Sequence, residues 1–170
     1  MGTPFQAKSY EFTEYTSAQN WIGGQWQDAQ NADMLDVINP RFGKTIAKVC
    51  LSGAQDVEKA VAAAKEALPA WQDMPVRERG EVFYNLRQLM HDNLEELTWL
   101  VSHENGKTYD ESKAEVLKAI ECAEYGCALP NIAAAPQMEV SRGVECRIVY
   151  ESVGIVAGVT PFNFPIMVPL

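Results

Sequence analysis

The stretch Ser152-Val153-Gly154-Ile155-Val156-Ala157-Gly158-Val159-Thr160-Pro161-Phe162-Asn163-Phe164-Pro165 decides how the rest of the chain is read. Val153 to Val159 carries no charge, and turn residues bound it. A run of this length that is apolar on both faces suits a strand buried on both sides in a parallel sheet. A buried helix is the rival, but the β-branched content and the following proline favour the strand. Pro165 fits the first turn of a new helix, because its missing N–H is not needed there and its φ is already helical. Phe162 and Asn163 are then expected at the carboxyl end of a strand, where open α/β sheets bind their ligands.

Pro161 and Pro165 bracket Phe-Asn-Phe and restrict the residues before them, so this backbone has few alternatives. A side-chain amide on such a turn is a preorganised N–H donor, worth about 3–4 kcal/mol when aimed at a carbonyl oxygen that becomes an oxyanion. Asn163 could instead cap the helix expected at Pro165. From spacing alone the cap is the stronger reading.

Gly154 to Pro165 resembles the segment by which aldehyde dehydrogenases enter their dinucleotide-binding sheet, and the resemblance extends over residues 20–170. It implies that Asn163 donates its side-chain N–H to a thiohemiacetal oxyanion, which reverses the preference for a cap. It also implies that Thr160, Pro161 and Phe162 line a site for NAD or NADP, with NAD favoured. The implied reaction oxidises an aldehyde or semialdehyde, with water or coenzyme A as the acyl acceptor. The family's nucleophilic cysteine, general-base glutamate and ribose-contacting lysine would all lie beyond residue 170. None of Cys50, Cys122, Cys127 and Cys146 stands in a context like the nucleophile's. The apolar ending at Leu170 reads as an unfinished helix, so an N-terminal piece of a longer enzyme, inactive alone, is expected.

Composition excludes several other classes. Across 170 residues, 47% hydrophobic and 22% charged content is ordinary for a globular domain with a real core. No stretch approaches the roughly 20 apolar residues of a membrane span. The formal charge is −9 and the basic residues are scattered, which argues against nucleic acid or an acidic membrane surface as partner. The cysteines form no Cys-x-x-Cys pair and no histidine stands at metal-ligand spacing from them, so free thiols in a reducing cytoplasm are expected.

Residues 1–19 are polar and aperiodic, a loosely held lead-in. Residues 20–137 open with a hairpin about Gly23-Gly24 and a second strand pair, Leu35 to Ile38 with Thr45 to Leu51, about Asn39-Pro40-Arg41-Phe42-Gly43. Trp21 and Trp26 are expected to pack rather than bind. Three helical stretches follow. The first has the apolar stripe Val57, Val61, Ala64, Leu68 and Trp71, a start at Ser52/Gln55 or Gly53/Asp56, and a break at Pro69. The second carries Val82, Leu86, Leu89, Leu97 and Leu100, divides near His91-Asp92-Asn93, and stops at Gly106. Its Glu104-Asn105-Gly106-Lys107 end resembles a structural junction of the family. There Glu104 and Lys107 read as a helix-end ion pair, and His91 and His103 as surface residues.

The third stretch starts with Thr108 and Glu111 at capping-box spacing and turns Val116, Ile120, Ala123 and Cys127 inward. Asp110, Glu111, Glu115, Glu121 and Glu124 read as a solvated face. The methylmalonate-semialdehyde dehydrogenase branch, which this chain most resembles, carries here an arginine that grips the substrate carboxylate. Lys118 keeps the charge without the bidentate fork. A solvent lysine paired with Glu121 or Glu115 is the stronger reading.

Residues 138–151 form a hairpin about Ser141-Arg142-Gly143, and a lone ribbon needs another sheet to lean on. The resemblance makes it a projecting arm that pairs with a neighbouring subunit in a homo-oligomer, a dimer or tetramer. Residues 152–170 form the first strand and turn of the dinucleotide-binding sheet. The fold class is thus α/β: the N-terminal part of an aldehyde dehydrogenase-like fold, with small hairpins, a helical layer, the arm and one strand of a parallel sheet. The alternative is a non-enzymatic assembly module that docks through the arm, which leaves Thr160 to Pro165 unexplained.

Overall fold

The computed structural model describes residues 18–31 and 33–170. Strands β1 (Asn20–Ile22) and β2 (Gln25–Gln27) pair antiparallel about Gly23 and Gly24, whose φ values of 60° and 77° are the left-handed pair a two-residue hairpin turn requires. Trp21 and Trp26 face each other across this ribbon, edge to face with centroids 4.8 Å apart. They pack on each other at the surface rather than in the core; Trp26 is 66% exposed.

Strands β3 (Met34–Asn39) and β4 (Lys44–Cys50) form the second pair. Asn39 is buried in the turn between them, and its Oδ1 accepts the N–H groups of Arg41 and Phe42. Ala18 donates to the Lys48 carbonyl and bridges β4 in parallel, so the expected lead-in is tied down at this residue; residues 1–17 lie outside the described residues.

Helix α1 (Ala54–Asp73) starts with the Gly53/Asp56 alternative. The Asp56 carboxylate accepts the Gly53 N–H and reaches back to the Gln30 N–H. The helix does not break at Pro69 but continues to Asp73. Proline leaves the carbonyl four residues earlier without a donor. Lys65 and Pro69 are both exposed, so water can serve that carbonyl. The stripe of α1 is also less covered than its spacing implies: Val57, Val61 and Trp71 are exposed.

The core lies between α2 (Val76–Asp92), α3 (Leu94–Asn105) and α4 (Tyr109–Cys127), with α5 (Leu129–Ile132) beside α2. Met90, Val101, Val116, Ala119, Ile120 and Ala123 are its buried centre, and Leu86, Leu94, Leu97, Ile166 and Met167 pack against them. Val82 and Leu89 do not turn inward; Leu89 is 60% exposed. Phe83, Leu86 and Met90 form the facing stripe instead, with Phe83 set so close to Gly126 that a Cβ there would come within 2.3 Å of its ring. The break between α2 and α3 falls at Asn93, and α3 stops at Gly106 with φ 87°.

His103 is a correction. It is 3% exposed, because α3 buries almost a whole face through Thr98, Trp99, Val101 and Ser102, and its ring stacks on Trp99 at 3.9 Å. His91 is exposed, as expected.

Strands β5 (Gln137–Ser141) and β6 (Val144–Arg147) form the arm about Gly143 (φ 73°), and every residue of both strands is exposed. Pairing ends at Arg147, short of the expected Glu151. Residues 148–161 have no strand partner among the described residues. The apolar run Val153 to Val159 therefore has the sequence of a strand but not its ladder, and Val153 is left 91% exposed. A strand is defined by the hydrogen bonds of its neighbours, and the three described sheets each have two strands that are already paired with each other.

Candidate functional site

Asn163 sits on an exposed turn, Phe162 to Pro169, at the end of the unpaired run. This turn closes one loose helical loop, with the Val168 N–H reaching the Phe164 carbonyl at 3.4 Å. Its N–H groups face the core side, where Ile166 and Met167 pack. The Ile166 N–H donates to Glu115 Oε1 at 3.0 Å and the Met167 N–H to the same oxygen at 3.4 Å. Glu115, not Asn163, caps this turn. The Asn163 amide makes no hydrogen bond to any described residue.

Glu115 was expected on the solvated face of α4, but it is 4% exposed. The reason is its place in the helical period. Ser112, Glu115, Val116, Ala119, Ile120 and Ala123 are the buried positions of α4, at spacings of three and one. Of these, Val116, Ile120 and Ala123 were expected inward; Ser112, Glu115 and Ala119 widen the stripe, and a carboxylate on it signals a buried partner. The partner is Lys107, whose Nζ donates to Glu115 Oε2 at 2.5 Å. Lys107 therefore does not pair with Glu104 at the helix end. Its side chain is 20% exposed and that of Glu115 is 1% exposed. Breaking a buried pair by removing one partner generally costs about 3–5 kcal/mol, because the charge left behind has no compensation.

Two further contacts fix the turn. Lys107 Nζ lies 4.5 Å from the centroid of the Phe164 ring, a cation–π distance. Asn105 Nδ2, on the last residue of α3, donates to the Phe162 carbonyl at 2.9 Å.

Beside the turn lies a cleft of about 380 Å³, lined by Lys107, Glu111, Ala114, Glu115, Lys118, Phe164 and Met167. Lys118 Nζ donates to Glu121 at 2.6 Å, and this hydrogen bond, with the charge behind it, raises the lysine above its ordinary range. The surface pairing expected for Lys118 is thus present, while the same side chain also borders the cleft. At the α4 start, Thr108 and Glu111 form the capping box, and hydrogen bonds from Thr108 hold the Glu111 carboxyl below the usual carboxylate range. A larger cleft of about 620 Å³, between Val76, Arg79, Leu129, Ile132 and Tyr150, shares no residue with this site.

Thr160, Pro161 and Phe162 are exposed and uncharged. Nothing among them offers a cation to a pyrophosphate, and neither of the two clefts is lined by them. All four cysteines are free, and none lines the cleft at Phe164 and Met167. Among the described residues no group of histidine, cysteine and carboxylate side chains could hold a metal, and no helix is long and apolar enough to cross a membrane.

Residues 26–170 match the aldehyde dehydrogenase family, and the chain belongs to it. It is 41% identical over 158 residues to malonate-semialdehyde dehydrogenase from Bacillus pumilus (strain SAFR-032), covering 92% of this chain and 32% of that protein. Its fold superposes on a structure assigned as methylmalonate-semialdehyde dehydrogenase from Sinorhizobium meliloti 1021, complexed with NAD, with TM-score 0.86 and 31% identity, covering 94% of this chain and 32% of the other. Methylmalonate-semialdehyde dehydrogenase (DddC) from Oceanimonas doudoroffii gives the same TM-score and identity over 91% of this chain and 32% of the other. The chain thus spans about a third of the length of the relatives it matches.

Proposed function

We propose that this chain supplies the oxyanion donor and one wall of the cofactor site of an NAD(P)-dependent oxidoreductase acting on an aldehyde or semialdehyde. The observation that carries this is the Asn163 amide, which has no hydrogen bond to a described residue on a turn held at the Phe162 carbonyl and at the Ile166 and Met167 N–H groups. A cysteine thiolate from outside this chain attacks the aldehyde carbon, and negative charge develops on its oxygen. Asn163 donates its side-chain N–H to that oxygen, and a donor already in place needs no reorganisation when the charge appears. Thr160, Pro161 and Phe162 would hold one side of the cofactor. When bound, NAD or NADP accepts the hydride; the NAD in the Sinorhizobium meliloti neighbour favours NAD. The acyl group then leaves to water or coenzyme A.

The relatives' names favour a semialdehyde that carries an acid group. Lys118, which borders the cleft adjoining the Asn163 turn while pairing with Glu121, would be the cation that meets such a carboxylate. The exposed arm β5–β6 would pair with a second copy of the chain in a homo-oligomer. Four free thiols suit a reducing cytoplasm.

The test is NAD(P)H production by the full-length protein from malonate semialdehyde and from a neutral aldehyde of similar length. Turnover is expected with the full-length protein and none with residues 1–170 alone. Lys118→Ala should raise KM for the acid-bearing aldehyde about tenfold, the scale of one charge-assisted hydrogen bond, and leave the neutral one unchanged. Absence of turnover with every aldehyde, together with arm-dependent assembly, would favour a docking module instead.

A further inference from the structure

We infer that Glu115, with Lys107 behind it, is the positioning residue that holds the Asn163 turn in register for the reaction; this deepens, and rests on, the reading of Asn163 as oxyanion donor. The restraints surround Asn163 on both sides. Upstream, the Phe162 carbonyl accepts from Asn105 Nδ2 at 2.9 Å. Downstream, the Phe164 ring lies under Lys107 Nζ, and the N–H groups of Ile166 and Met167 converge on Glu115 Oε1. Pro165 between them has no N–H that could slip to another acceptor. Between them, the Asn163 side chain has no hydrogen bond to a described residue.

A carboxylate suits this task better than a neutral amide. Two N–H groups share one of its oxygens while the other takes an ammonium, and hydrogen bonds to ionised groups are about twice as strong as neutral ones. Glu115 rides on the buried stripe of α4, and the side chains of Ile166 and Met167 pack on the same core. The turn is thereby referenced to the buried core of the helical layer rather than to the exposed run that precedes it. A displacement of about 1 Å at a reacting group can cost on the order of 10²-fold in rate, so such referencing has catalytic value.

Two measurements test it. In the 170-residue chain, amide hydrogen exchange at Ile166 and Met167 is followed by NMR, with Val116 and Ile120 reporting on α4. Glu115→Met keeps the volume and removes the acceptor, and the double variant Lys107→Met/Glu115→Met removes both charges so that none is stranded. Exchange at Ile166 and Met167 should accelerate about tenfold or more in both variants while α4 stays protected. Unchanged exchange in whichever variant keeps α4 protected would overturn the inference.

In the full-length enzyme, the double variant should lower kcat about 10- to 100-fold with KM for the aldehyde nearly constant, and should lower it no further in an Asn163→Ala background. A loss that adds fully to that of Asn163→Ala would place the pair's effect elsewhere and refute positioning. If Asn163→Ala itself leaves kcat intact, the oxyanion reading fails and the kinetic consequence falls with it. The exchange result would still decide whether Glu115 pins the turn.

Discussion

Helix α4 and the run from Val153 to Val159 are two apolar stretches with opposite fates. In α4 the stripe through Val116, Ala119, Ile120 and Ala123 is buried against α2 and α3. In the run, Val153 is 91% and Val156 79% exposed, with no strand beside them. Apolar pattern states which residues need cover, and only tertiary structure supplies it. The site sits where the two regions meet: the uncovered run delivers Asn163, and the covered helix holds the turn through Glu115. The chain thus carries Asn163 at the end of an uncovered run and ties the turn that bears it to a buried helix.

The largest effect separating the two regions should be on stability. Ile120→Ala removes a 3%-exposed side chain from the core and is expected to cost about 2–5 kcal/mol in urea unfolding. Val156→Ala in the 170-residue chain should change stability by less than about 0.5 kcal/mol. Similar losses for both would mean that the run is covered in solution.

What was legible in the sequence divides along the same line. The Gly23-Gly24 hairpin, the Thr108/Glu111 box and the Gly106 stop were readable because each is set by chemistry within four residues, and the α1 start was readable to one of two alternatives, of which Gly53/Asp56 forms. Asn163's turn was readable from its flanking prolines. The burial of His103 and Glu115 was not, because charge argues for the surface, and only the neighbours packed against α3 and α4 override it. Glu115 still carried a trace in its spacing to Ser112, Val116 and Ala119. Pro69 misled in the other direction: its cost to a helix is met where the freed carbonyl faces water.

A smaller effect sharpens the contrast at the start of α4. Thr108→Ala should cost about 1 kcal/mol, the usual worth of an N-cap, measured as a fall in urea midpoint. The Glu111 half of the box should show in pH. Its carboxyl is held down by Thr108, so its stabilisation is present above the ordinary carboxylate range and disappears as pH falls through the lower folded value. The Tm gap between wild type and Glu111→Ala should therefore be full near about pH 7 and close toward about pH 3. A gap that widens on acidification would contradict the capping role.

The central claim is tested most directly by the kcat of Asn163→Ala in the full-length enzyme, measured with a saturating aldehyde. Loss of a single oxyanion donor predicts a fall of about 10²–10³-fold with the fold intact. A fall of less than about threefold would show that the amide does not meet the developing charge, and that the turn holds Asn163 for some other purpose.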